Sequence, residues 1–224
     1  MTYREAMAAL KSYGTAQNRK VYARHGVGEK MFGVSFAKLK TLTRKIKTDQ
    51  ALAQQLWGSR NHDARILATM TADPNATPAK LLDAWKNDLD SYVIADAFSG
   101  FAAKTPSART RMEKWTKSPR EWVGRAGWLA LAHIARDADG LDDEYFQPYL
   151  PMIEERIHGA KNRTRDAMNS ALIAIGIRGE RLEQKAIAAA RRIGKIEVDH
   201  GETSCKTPDA ETYILKAKAR RKNS

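Results

Sequence analysis

Apolar residues recur at intervals of three and four positions along most of the chain, which is the period of an amphipathic α-helix. Thr2 and Glu5 form a capping-box pattern ahead of the first such segment, and Gly14 marks its end. Ser35 and Asn61 are placed to cap later helices. Runs that alternate apolar and polar residues are too short for a β-strand, so the pattern predicts an all-α fold.

The predicted helices are mostly roughly 10 to 18 residues long, with short connections that contain Gly, Pro, Asp or Ser. A helix pair about every 35 to 45 residues is the period of a HEAT-like α-solenoid of stacked antiparallel helix pairs. A globular helical bundle is the competing architecture. The helices are expected near residues 2–13, 15–25, 36–46, 49–57, 61–72, 78 onward, 90–101, 107–117, 122–136, 144–149, 151–158, 163–177, 180–193 and 208 onward.

Length and composition limit the class of protein. We expect residues 1–193 of the 224 to form one domain, with a C-terminal loop, helix and basic tail over 194–224 packed on it. Hydrophobic residues at 42% and charged residues at 29% exclude a disordered chain. The N-terminus lacks a signal-peptide core and no apolar run approaches the roughly 20 residues of a membrane span, so we expect a soluble cytoplasmic protein. A single cysteine, Cys205, excludes an internal disulfide framework.

The charge indicates the kind of partner. A net charge of +13 favours a polyanion first and a membrane surface second. Residues 1–48 contain eleven Lys and Arg residues against only Glu5 and Glu29, and acidic and basic blocks alternate further along. We expect the basic blocks to converge on the concave face of the solenoid. Ordinary solvated helix surface is the alternative for any one block.

Two predicted helices place single charged residues on apolar or aromatic faces. Tyr92 and Asp96 are four residues apart and therefore neighbour each other on one helix. Trp122 and Arg125 lie one turn apart on the inward stripe of the other helix. A carboxylate and a guanidinium directed at one surface could act on a substrate that carries phosphate and developing positive charge. The alternative is a structural Asp/Arg pair between neighbouring helices.

The segment from Asp199 to Pro208 contains residue types that can ligate a metal. Asp199, His200, Glu202 and Cys205 fall within seven positions, but no second ligand pair follows at zinc-finger spacing. A tight loop in which Asp199 and Thr203 bond the local backbone fits the segment better. The basic tail 216–222 fits a frayed helix end and a DNA contact equally well.

The order of several motifs resembles the AlkD-type DNA alkylation-repair family. The matching pieces span residues 3–193. They are Phe32-Gly33-Val34 before a Leu/Lys-rich helix, Ala53 to Trp57 followed by Asn61 to Arg65, Asp90 to Asp96, Trp115 with Trp122-Val-Gly-Arg125, and Arg165 to Gly176.

The resemblance implies a HEAT-like-repeat DNA glycosylase that excises cationic N3- or N7-alkylated purines from duplex DNA without capturing the base in a pocket. It places Asp96 at the position of the catalytic carboxylate, where it would stabilise positive charge on the sugar. The chain departs from the family pattern at both active-site tryptophans, which correspond here to Tyr92 and Ser170. The resemblance also places Arg125 at the position of a DNA-contacting arginine. Trp122, which precedes Arg125 by one turn, is a further candidate DNA contact, as are Tyr22 and Arg165.

Three functions therefore follow as hypotheses. The first is a monomeric glycosylase that acts on double-stranded DNA and needs no metal or nucleotide cofactor. The second is a non-catalytic HEAT-like binder of damaged or branched DNA. The third is a solenoid adaptor for an acidic protein, which needs the positive surface but not the carboxylate of Asp96.

Overall fold

A computed structural model describes residues 1–137 and 141–222, and that part of the chain is helical with no strand. The all-α prediction is therefore confirmed. The helices are α1 (Tyr3–Tyr13), α2 (Ala16–Arg24), α3 (Phe36–Ile46), α4 (Gln50–Gly58), α5 (His62–Thr71), α6 (Ala79–Asn87), α7 (Tyr92–Ala102), α8 (Ala108–Trp115), α9 (Glu121–Asp137), α10 (Asp143–Phe146), α11 (Tyr149–Arg156), α12 (Asn162–Gly176), α13 (Glu180–Ile193) and α14 (Ala210–Lys222).

Helix ends follow the capping residues. Thr2 makes both bonds of the capping box with Glu5, at 2.8 and 3.3 Å. The side chains of Ser35 and Asn61 each accept a backbone N–H at the start of α3 and α5. Each predicted helix is present with ends shifted by a few residues. One shift is at Pro78, which is the N-cap of α6 and not its first residue. Residues 138–140 of the predicted acidic loop lie outside the described residues.

The contacts divide the chain into two compact units. The first comprises Met1–Ala108 with Gly201–Thr203, and the second comprises Arg109–His200 with Ser204–Ser224. The sequence did not indicate a boundary near Ala108. The division into a 1–193 domain with a packed 194–224 extension stays a prediction.

The first unit is built on α3, α4, α5 and α7. Their inward positions are fully buried, as at Leu42, Leu56, Ile66 and Phe98, and each such side chain stabilises the fold by about 1.5–3 kcal/mol. The loop before α3 approaches α2 closely at Gly33, which has φ +80° and whose added Cβ would lie 2.7 Å from a backbone oxygen. This close contact fixes the path of the loop over residues 26–34.

The second unit is organised around α9 packed along α12. Trp128 on α9 and Phe146 on α10 are fully buried. Gly127 lets α9 approach the end of α8, because an added Cβ would lie 2.5 Å from the backbone nitrogen of Thr116. Across the described ranges of both units, no helix is long and apolar enough to cross a membrane.

Candidate nucleic-acid interface

The predicted site residues are shared between the two units. Tyr22, Tyr92 and Asp96 belong to the first unit, whereas the second contains the other four. Those four are Trp122, Arg125, Arg165 and Ser170.

Helix α7 carries the proposed catalytic carboxylate. Ile94, Ala95 and Phe98 are buried and anchor the helix, which leaves Tyr92 and Asp96 half-buried one turn apart. The two residues are therefore neighbours on one helix, as predicted. The hydroxyl of Tyr92 hydrogen-bonds to Nδ1 of His25, and this bond fixes the orientation of the phenol ring.

The hydroxyl of Tyr22 is hydrogen-bonded within the first unit. The hydroxyl donates to the backbone oxygen of Val34 at 2.5 Å, and the ring centroid lies 5.4 Å from that of His62. Burial, with a smaller contribution from the negative charge of Asp63, raises the pKa of Tyr22. A DNA contact by Tyr22 would use the ring, since its O–H is already donated.

Asp63 holds the loop that precedes α3. Its side chain is fully buried and accepts the backbone N–H groups of Phe32, Gly33 and Val34 at 2.6, 3.1 and 2.8 Å. Three N–H donors on one carboxylate compensate for the burial of its charge. Asp63 lies within the motif Asn61 to Arg65, but its sequence position does not indicate this role.

Arg65 connects the start of α7 to the tryptophans of the first unit. Its guanidinium donates to the carboxylate of Asp90 at 2.8 Å and to the backbone oxygen of Asp88 at 2.5 Å. It also lies 4.6 Å from the ring centroid of Trp57, which stacks on Trp85 at 4.4 Å. The site-facing end of α7 is therefore held rigidly.

In the second unit, Arg125 is buried and pairs with a carboxylate. Its Nη1 donates to the carboxylate of Asp166 at 2.8 Å and to the backbone oxygen of Arg163 at 2.9 Å. The side chains of Arg125 and Asp166 are only 5% and 16% exposed. A structural Asp/Arg pair was one of the two hypotheses from the sequence, but the sequence did not identify Asp166 as the partner of Arg125. Ser170 lies one turn from Asp166, and its hydroxyl donates to the backbone oxygen of that residue at 3.1 Å.

Arg165 makes hydrogen bonds to backbone oxygens of the second unit. Its guanidinium donates to four carbonyl oxygens at 2.8 to 3.2 Å, three of them in the turn after α11. These bonds use most of its five N–H donors. Trp122 lies half-buried in the first turn of α9. DNA contacts by Arg165 and Trp122 stay predictions.

Residues 194–209 contain no helix, and side chains of α12 hold the segment in place. Asn162 bonds both the N–H and the carbonyl of Asp199, at 2.8 and 2.7 Å. Four residues of α12 make such bonds, namely Asn162, Arg163, Arg165 and Asn169, to Asp199, His200, Glu197 and Pro208. These bonds are long-range, and the local backbone bonds expected of Asp199 and Thr203 stay a prediction. Among the described residues, no group of three His, Cys, Asp or Glu side chains is arranged to hold a metal ion.

Exposed cations are concentrated in α1, α2 and α3 of the first unit. All eleven Lys and Arg residues of the first 48 positions are exposed. Exposed cations attract phosphates in proportion to their number and carry no sequence preference. The convergence of all basic blocks on one concave face stays a prediction.

Packed helices, the exposed cations of residues 1–48 and the half-buried carboxylate of Asp96 are features of a helical protein suited to bind nucleic acid. A family model described as "DNA alkylation repair enzyme" matches residues 6–214. The chain therefore belongs to the DNA alkylation repair enzyme family, and the resemblance read from the motifs is confirmed.

Relatives match over their whole length. The chain is 28% identical over 229 residues to the uncharacterized protein Lin0241 of Listeria innocua, covering 98% of this chain and 99% of that protein. It is 26% identical over 229 residues to the uncharacterized protein Lmo0209 of Listeria monocytogenes, covering 99% and 100%.

One solved structure is described as "a new family of proteins related to the HEAT-like repeat DNA glycosylases with affinity for branched DNA structures". It matches with a TM-score of 0.90 and 28% identity, over 99% of this chain and 95% of that chain. The HEAT-like fold predicted from helix lengths and spacing is thereby confirmed.

Proposed function

We propose that this protein binds DNA as a monomer, without a cofactor, and prefers branched structures over linear duplex. The observation that carries the proposal is the set of eleven exposed cations in residues 1–48, nine of them in α1, α2 and α3. The similarity to a structure whose family has affinity for branched DNA supports the preference. Each phosphate neutralised releases a counterion, so affinity falls with salt by a slope of about 0.9 per phosphate on duplex DNA.

Three cations of α3 provide the test. Lys40, Arg44 and Lys45 are exposed and make no side-chain hydrogen bond or ion pair among the described residues, so their replacement leaves the fold intact. A triple change to glutamine removes three charges, whereas Lys40→Arg, Arg44→Lys and Lys45→Arg together keep them. Binding would be measured by fluorescence anisotropy on a four-way junction and on linear duplex of the same sequence, across a salt series.

We expect the glutamine variant to lose about tenfold or more in affinity and to have a shallower salt slope, while the charge-retaining variant binds as the unchanged protein does. The unchanged protein should bind the junction more tightly than the duplex. Equal affinity of the glutamine variant and the unchanged protein would refute the role of α3, and equal affinity for both DNAs would refute the preference.

Excision of alkylated purines is the second candidate function, and the position of Asp96 favours it. A carboxylate one turn from an aromatic ring, in the unit that carries the exposed cations, is suited to stabilise the oxocarbenium-like sugar formed as a cationic purine departs. Alkylation already makes the base a good leaving group, so no general acid is required. Tyr92 would contribute its π-face to the cationic sugar.

Two departures rank excision below binding. The family resemblance implies two indoles against the deoxyribose, and this chain has a phenol at Tyr92 and a hydroxymethyl group at Ser170. The assay is release of 7-methylguanine and 3-methyladenine from alkylated duplex over hours, with Asp96→Asn and a protein-free sample as controls. Release above both controls would establish excision. Release equal to the protein-free sample, from DNA that the protein binds, would exclude it.

A further inference from the structure

A small cleft lies in the first unit between the loop before α3 and the start of α7. Its volume is about 250 Å³, and its walls come from residues 27–30, Arg60, His62, Arg65, Asp90 and Ser91. One water occupies about 30 Å³ in the liquid, so the cleft can hold a phosphate group with part of a sugar.

His62 is a buried polar side chain without a hydrogen-bond partner. It is 6% exposed, and its ring nitrogens make no hydrogen bond to any part of the chain that the structure describes. Burial lowers the pKa of His62, which keeps the ring neutral at neutral pH, with one N–H donor and one acceptor. The ring nitrogens of His62 are not among the buried atoms that lack a partner, so they reach solvent, and this imidazole on the cleft wall is available to a ligand.

Two buried polar atoms of cleft-lining residues have no hydrogen-bond partner in the described chain. They are Nε of Arg65 and Oγ of Ser91. Ser91 is the N-cap residue of α7, yet its side chain does not cap the helix. The first N–H groups of a helix carry partial positive charge and favour anions. The residues that line the cleft therefore include an imidazole, a guanidinium and a hydroxyl beside a helix N-terminus.

The rim supplies full positive charge. Lys30 and Arg60 are exposed and form no ion pair within residues 1–137 and 141–222. Arg60 has φ +57°, a left-handed conformation that costs a non-glycine residue free energy and that often persists at functional sites. Two carboxylates, Glu29 and Asp90, also line the cleft, and Asp90 is paired with Arg65. Cations therefore outnumber carboxylates by one.

We infer that this cleft binds a phosphomonoester, either the terminal phosphate of a DNA strand or a free phosphorylated molecule. His62, Arg65 and Ser91 donate hydrogen bonds to the phosphate, and Lys30 and Arg60 neutralise its charge. The inference goes beyond the proposed DNA binding, because an internal DNA phosphate is a diester and needs no such cleft.

The test follows the ring nitrogens of His62 by NMR in protein with ¹⁵N-labelled histidine, in phosphate-free buffer, with His62→Gln to assign the signals. Inorganic phosphate is the first probe. Arg60→Gly removes one cation from the rim and relieves the left-handed backbone. Lys47→Gly is the matched control, since it removes one cation at another residue of positive φ, +62°, that does not line the cleft.

We expect inorganic phosphate to shift the His62 signals saturably. Arg60→Gly should weaken this binding about tenfold, the loss expected for one charge-assisted hydrogen bond, and Lys47→Gly less than about twofold. No saturable shift, or equal weakening in the two glycine variants, would overturn the inference. Junction binding that persists without a phosphate-dependent shift would overturn it and leave the proposed function standing.

A second pair of probes identifies the source of the phosphate. The probes are a short duplex with 5′-phosphate ends and the same duplex with 5′-hydroxyl ends. Displacement of inorganic phosphate from His62 by the phosphorylated duplex alone would identify a DNA end as the ligand. Displacement by neither duplex would identify a free phosphorylated molecule. Equal displacement by both would show that a diester suffices, which contradicts the inference.

Discussion

Among the Asp→Asn and Glu→Gln substitutions in the first unit, we expect Asp63→Asn to be the most destabilising. The carboxylate of Asp63 is fully buried and holds three N–H groups, two on Oδ2 and one on Oδ1. Asparagine has one carbonyl oxygen, so at best two of these bonds survive. At least one buried N–H then faces an NH₂ group and has no acceptor.

The magnitude follows from these contacts. An unsatisfied buried donor costs about 1–3 kcal/mol, and each surviving bond loses the extra strength that the charge of Asp63 provides. Together they give a destabilisation of about 2–4 kcal/mol. Glu29→Gln is the control, because it removes one carboxylate charge at an exposed side chain of the loop that Asp63 holds, and we expect a change within about 0.5 kcal/mol.

Urea unfolding followed by tryptophan fluorescence measures the loss, and Trp57 and Trp85 report on the first unit. Amide hydrogen exchange gives the local readout, since the N–H groups of residues 32–34 should be protected in the unchanged protein and exposed in Asp63→Asn. Equal stability of Asp63→Asn and Glu29→Gln, or fast exchange at these amides before any substitution, would refute the reasoning.

Further predictions concern the two candidate site helices and the cleft. If excision occurs, Asp96→Asn should reduce base release about 10²-fold or more and leave anisotropy binding curves unchanged. Arg125→Met should cost about 3–5 kcal/mol in urea unfolding because Asp166 stays buried and unpaired, and adding Asp166→Leu should recover most of it. The pKa of His62 is lower in the folded protein than in the unfolded chain, so the unfolded chain binds a proton at a higher pH. The free energy of unfolding should therefore fall as pH decreases from about 6.5. This acid sensitivity should be smaller in His62→Gln.

Local signals made the helices predictable. Thr2, Ser35 and Asn61 act within three residues of the groups they cap, so the sequence alone locates the helix starts. The placement of Tyr92 and Asp96 on one side of α7 follows from helical spacing for the same reason. Determinants of this kind need no knowledge of how the helices pack.

The partners of the site residues depend on packing between distant segments. Asp166 follows Arg125 by 41 residues and His25 precedes Tyr92 by 67, so no helical period connects them. Arg165 was a candidate DNA contact, and only the packing of the second unit reveals the four carbonyls around its guanidinium. The place of His62 on the cleft wall likewise cannot be read from the sequence, because the cleft is formed by segments that are far apart in the chain.

The attachment of residues 194–209 to α12 has a consequence for the order in which the chain folds. This segment has no helix of its own, and four side chains of α12 bond to its residues 197, 199, 200 and 208. Those bonds can form only after α12 has formed, so we expect this part of the segment to become ordered late and to detach early. Ser170, a candidate DNA contact, lies on the same helix. We therefore expect a change in the position of α12 to affect both Ser170 and the C-terminal segment.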